Sequence, residues 1–167
     1  MTGVTKQIQL SMTEQEQLAK LFSDLFNGSP WIDVNVMNTL DEVSAKEAAT
    51  KVFPNFNSIW EIVHHQIRWR ETVMRRLHGE EVESPEDNYF SYIRDRSELA
   101  WTQTRDAFRE SQTVWLSFIA QATKEDLLKA VVPTPFSKYE LVHGILQHDA
   151  YHLGQIRLLL KLIRFRG

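Results

Sequence analysis

The stretch Gly144-Ile-Leu-Gln-His-Asp-Ala-Tyr-His-Leu-Gly-Gln-Ile156 places two histidines, His148 and His152, four residues apart. An α-helix turns about 100° per residue, so both rings lie on one face, on adjacent turns. Leu141, Ile145, Ile156, Leu159 and Ile163 project within roughly 80° of them on the same wheel. The two imidazoles therefore point toward a core. Buried ring nitrogens cost desolvation unless something satisfies them. A divalent metal does so; ordinary hydrogen bonding of core histidines is the alternative.

Working outward, the rest of the chain reads as helices separated by breakers. Thr13-Glu-Gln-Glu16 is a capping box, in which a side-chain oxygen and a carboxylate satisfy free N–H groups at a helix start. Leu18, Leu21, Phe22, Leu25 and Phe26 follow at helical spacing, and Gly28-Ser-Pro30 ends the pattern. A second box, Ser58-Ile-Trp-Glu61, opens a helix that Gly79 stops. A third helix begins near Asp95 or Ser97, and Trp101, Phe108 and Trp115 recur along it every seven residues. Ser137-Lys-Tyr-Glu140 opens the last helix after Pro133 and Pro135. The spacing predicts helices over 12–27, 57–78, 96–121 and 138–164, and nothing alternates like a strand. Residues 31–56 read as a long connection with at most one short helix, Glu80–Asp87 as an acidic surface loop, and Thr123–Asp126 as a short turn. The expected fold is an all-α four-helix bundle in one domain, 1–167, with long crossover connections. Trp101, Phe108 and Trp115 are core or dimer-face residues, and the wealth of large aromatics suggests a homodimer.

Composition limits the partners. The chain has 167 residues, 43% hydrophobic and 25% charged, with net charge −3 and no basic block. Phosphate backbones need clustered Lys and Arg, so nucleic acid is not an expected partner. With no cysteine there is no disulfide framework, thiolate nucleophile or zinc finger. Met1–Leu10 lacks the apolar run of a leader, and no stretch approaches a membrane span. The expectation is a cytoplasmic protein with no membrane partner.

A third ligand must come from another helix. The second predicted helix carries His64 and His65, which lie about 40° outside opposite edges of its apolar arc. The wheel does not choose between them. Gln66 and Arg70 fall inside that arc, as supports for the ligands, substrate contacts or a subunit surface, or with the Arg70 stem snorkelling. His78 belongs at the helix end, and His143 projects to the polar face of the last helix, toward solvent.

Ser58-Ile-Trp-Glu-Ile-Val-His-His-Gln-Ile-Arg-Trp69, followed by His148-Asp-Ala-Tyr-His-Leu-Gly-Gln-Ile156, resembles the DinB-like, or YfiT-like, superfamily. Phe26–Trp31 and Leu77–Gly79 add weaker matches, so the resemblance covers nearly the whole chain. It implies a three-histidine metal site inside a four-helix bundle, one ligand from the second helix and two from the last. In that family the ligand on the second helix stands four residues before a tryptophan. Trp69 therefore selects His65, and the implied metal ligands are His65, His148 and His152. Gln66 departs from the usual aliphatic residue after that histidine.

Three imidazoles suit zinc or nickel and leave a position open. Asp149 or Tyr151 are candidate partners of the ligands. His148-Asp-Ala-Tyr-His152 also resembles the H-E-x-x-H of zinc proteases. Asp is one methylene too short, however, and projects about 100° off the histidine line, which disfavours a peptidase. The resemblance implies a metal-dependent enzyme acting on a small-molecule substrate, hydrolase-like or transferring a low-molecular-weight thiol. Alternatives are a non-catalytic metal-binding protein or a dimeric interaction protein.

Overall fold

The computed structural model describes residues 12–166; the leader-free reading of Met1–Leu10 lies outside the described residues. Seven helices occur among the described residues: α1 (Glu14–Asn27), α2 (Val36–Asp41), α3 (Ala45–Ala49), α4 (Ile59–Leu77), α5 (Glu98–Gln121), α6 (Lys124–Leu127) and α7 (Lys138–Arg166). No strand occurs among them, only a bridge between Ala130 and Ser137. The protein is all-α, as expected. The four long helices pack in a cycle, α1 against α5 and α7, and α4 against the same two.

Their ends follow the local chemistry. Thr13 and Ser58 each form the reciprocal capping box with the glutamate three residues on. Ser137 and Glu140 do the same at α7, with Ser137 N–H donating to Glu140 at 2.7 Å and Glu140 N–H donating to Ser137 Oγ at 3.3 Å. Gly79 stops α4 with φ 89°, a left-handed conformation that glycine adopts without penalty, and its N–H donates to Arg76 O.

The connection 31–56 corrects the sequence reading, because it contains two short helices. Asn35 caps α2, and Ser44 and Glu47 form a further capping box at α3. Val36, Leu40, Val43, Ala45 and Ala48 are buried and pack this segment onto the core. Neither helix is long enough to stand alone; burial of these side chains stabilises both. Thr123 likewise caps α6, where only a turn was expected.

Trp101, Phe108 and Trp115 are almost completely buried. Phe108 meets Phe26 edge-on, and Trp115 stacks on Phe22 at 5.5 Å. Phe108 and Trp115 join α5 to α1, Trp101 packs on Trp60 of α4 and donates to Val43 O, and all three belong to the core, not to a dimer face. No helix among the described residues is long and apolar enough to cross a membrane.

Candidate metal centre

The tight pairing of α4 with α7 brings three imidazoles together. His65 comes from the middle of α4, and His148 and His152 come from successive turns of α7. One ligand nitrogen from each lies within 4.8 Å of the others. His148 Nε2 stands 2.9 Å from His65 Nε2 and 3.1 Å from His152 Nε2.

The outer nitrogens fix the protonation of this cluster. His65 Nδ1 lies 2.6 Å from the carbonyl oxygen of Asn88, which can only accept, so Nδ1 carries the proton. His152 Nδ1 donates to Gln155 Oε1 at 2.7 Å, while the Gln155 amide nitrogen donates to Tyr151 Oη at 2.8 Å. Both rings, when neutral, therefore present bare Nε2 lone pairs to His148. A proton on His148 Nε2 would serve at most one of them well. On Nδ1 it would sit at an atom that is buried without a partner.

A proton does not resolve the conflict. Burial, followed by the neighbouring imidazoles and Arg70, pushes His148 down to about 3. Burial is also the main cause lowering His65 and His152, partly opposed by the Asn88 and Gln155 hydrogen bonds. Three neutral imidazoles thus converge with lone pairs inward, a donor set that fits a divalent cation. Nitrogens at three corners of a tetrahedron with zinc-length bonds would be about 3.3 Å apart. The observed separations lie within a few tenths of that.

The loop after α4 closes one side of the cluster. Phe90 stacks on His65 with ring centroids 4.1 Å apart and planes 5° from parallel. Trp69 Nε1 donates to Asn88 Oδ1 at 2.9 Å. Asn88 and Tyr89 both have left-handed backbones, with φ 51° and 62°. Tyr89 is tied down by a 2.7 Å hydrogen bond between its hydroxyl and that of Thr72. Over the histidines opens a cavity of about 650 Å³ that includes Phe56, Trp69, Asn88, Tyr151 and Gln155 in its wall. A larger depression of about 960 Å³ lies at the far end of α4 around His78 and Phe118, away from the cluster.

The remaining histidines fall elsewhere. His64 faces α5, where Trp60 Nε1 donates to it at 3.2 Å and Thr104 Oγ1 lies 3.3 Å away. His78 caps α4 with Nδ1 against Met74 O. His143 corrects the solvated reading: it is half-buried against Tyr139, and its Nε2 is enclosed without a hydrogen-bond partner.

Asp149 also differs from expectation. It turns away from the imidazoles and accepts from Arg70 Nε at 2.9 Å, Arg70 Nη2 at 2.7 Å and Gln66 Nε2 at 3.1 Å. Arg70 Nη1 reaches Ser111 Oγ and Gln112 Oε1, and the guanidinium lies over Phe26 and Phe108. Gln66 and Arg70 thus form a buried polar network beneath the cluster. The Arg70 head is buried, not snorkelling, and an aspartate so engaged is no general base for a peptidase. Tyr151 acts as a candidate partner only through Gln155. Asn88 and Gln155, the true partners of the outer nitrogens, had no role in the sequence reading. Gln155 was detectable as the residue three beyond His152 on the same helix face.

The family model described as the DinB superfamily matches residues 34–156, most of the chain and all three histidines. No curated protein and no solved structure matches the chain.

Proposed function

The chain belongs to the DinB superfamily, and from that membership and the imidazole cluster we propose that it is a metal-dependent enzyme acting on a small molecule. His65, His148 and His152 would hold a divalent ion, zinc or nickel, through their Nε2 atoms. The observation that supports this most is the inward-facing set of lone pairs, with two outer nitrogens already committed as donors. When bound, the metal supplies Lewis acidity, lowering the pKa of water or a thiol or polarising a carbonyl oxygen.

The chain's own residues do the remainder. Asn88 O and Gln155 Oε1 orient the rings and raise their donor strength. Trp69 and Phe90 shield one side from water. The cavity over the histidines leaves room for a substrate beside them. No carboxylate stands among the cavity-lining residues described. That favours transfer of a thiol, activated by the metal alone, over hydrolysis with a side-chain base.

The test is turnover by metal-loaded protein of thiol-plus-electrophile pairs, set against esters and amides. Thiol consumption that depends on metal supports the reading. Ester or amide cleavage with no thiol reaction would move it to a hydrolase. No turnover with any class would leave a metal-binding protein without catalysis.

A further inference from the structure

We infer that the cavity over the histidines selects a molecule with an uncharged, largely aromatic or aliphatic body, anchored by one metal-binding head. This rests on the metal reading above for the head alone; the body is read from the walls. Phe56, Trp69, Phe90, Leu158 and Leu159 make the apolar surface. The polar groups besides the histidines and the Tyr151 hydroxyl are amides, from Asn55, Asn57, Asn88 and Gln155. Among the described lining residues there is no carboxylate, ammonium or guanidinium.

The cations on neighbouring turns of α4 are engaged. Arg70 is buried against Asp149, Arg68 pairs with Glu71, and Arg76 is held by Val82 O and Ser84 while lying over the Trp69 ring. An anionic group on the ligand body would lose water against aromatic walls with no cation among the described lining residues to meet it. A cationic group would find no carboxylate among the described lining residues. A neutral polar group has partners. Asn55 and Asn57 hold no side-chain hydrogen bond among the described residues, whereas Asn88 and Gln155 are already tied to Trp69 and His152. The volume, about 650 Å³, suits a small organic molecule.

The experiment uses three thiols that share one head: phenylmethanethiol and its para-carboxylate and para-aminomethyl derivatives. The full chain is loaded with cobalt, and binding is followed by visible absorption. In parallel the metal-free protein is titrated with the same compounds, followed through the Trp69 indole and the Asn55 and Asn57 side-chain amide resonances. The neutral thiol should bind at least about tenfold more tightly than either charged one. Leu158, exposed at the cavity wall, provides a gain-of-function check. Leu158→Lys should swing the preference toward the para-carboxylate. Equal or tighter binding of a charged thiol by the unaltered chain would overturn the inference. So would an unchanged order in L158K. Failure to take up cobalt, with the order retained in the metal-free titration, would remove the metal reading and the metal-binding head and leave the preference for an uncharged body standing.

Discussion

His65 donates its Nδ1 proton to the backbone carbonyl of Asn88, 23 residues further along, at 2.6 Å. This joins a buried ring of α4 to a loop whose backbone is left-handed at Asn88 and Tyr89. Asparagine is among the few side chains that tolerate that conformation, and here its Oδ1 also anchors Trp69. The strained turn aims a carbonyl at the imidazole and leaves its Nε2 bare for the cluster.

A substitution series at Asn88 follows from that contact. Asn88→Val cannot hold φ near 51° without strain and loses the Trp69 bond, so the carbonyl should move. Metal affinity should fall by about 10–100-fold, the usual range for losing a partner of a ligand. Asn88→Gly permits the backbone and should lose much less. Competition titration against a chelating dye measures both, and equal affinities would remove Asn88 from its assigned role.

The pair of Arg70 and Asp149, 2% and 1% exposed, makes a stability prediction. Asp149→Leu alone leaves a buried guanidinium unpaired and should cost about 3–5 kcal/mol in urea unfolding of the metal-free protein. Arg70→Met added to it should recover most of the loss, because a buried ion pair contributes little over a packed apolar pair. A double variant no more stable than the single would show that the network does more than satisfy its own charges.

Glu47 makes part of the stability depend on pH. The Arg164 side chain first, then the Ser44 backbone N–H, hold its carboxyl down to about 2. A lowered folded-state pKa adds stability that is present above the unfolded value, about 4.5, and is lost as pH falls toward 2. Its partner Arg164 is 48% exposed, so water screens the pair, and Glu47→Gln should cost no more than about 1 kcal/mol at neutral pH. The difference from the unaltered chain should close by about pH 2. A difference that persists there would point to packing, not charge.

Metal binding should resist acid more than ordinary histidines allow. Burial lowers His65, His148 and His152 below their usual range, so protons compete for these nitrogens only at lower pH. Affinity corrected for the free metal concentration should stay level from about pH 8 to about pH 6.5 and decline below that. A steep decline beginning above pH 6.5 would contradict the buried, neutral cluster.

Much of this was legible in the sequence, for identifiable reasons. The long helices announce themselves through Thr13, Ser58, Ser137 and the apolar periodicity behind them. The segment 36–49 was harder, since tertiary burial of Val36, Leu40 and Ala48 decides it. On the wheel His64 and His65 were equivalent; only the family resemblance, through its tryptophan four residues on at Trp69, implied His65, which the structure places in the cluster. The oddness of Gln66 and Arg70 in an apolar arc was visible, but not Asp149 as their partner. Asn88 could not be found at all, because its part is played by a backbone carbonyl, which every residue has.

The central claim is a metal held by His65, His148 and His152. Its most direct test is X-ray absorption at the metal edge of tag-free, zinc-loaded protein, with zinc stoichiometry measured on the same samples. The unaltered chain and His143→Ala should each bind one zinc per chain, with three imidazole nitrogens at about 2.0–2.1 Å. His148→Ala should abolish stoichiometric binding. A spectrum with fewer than three imidazoles, or full occupancy in H148A, would contradict the account.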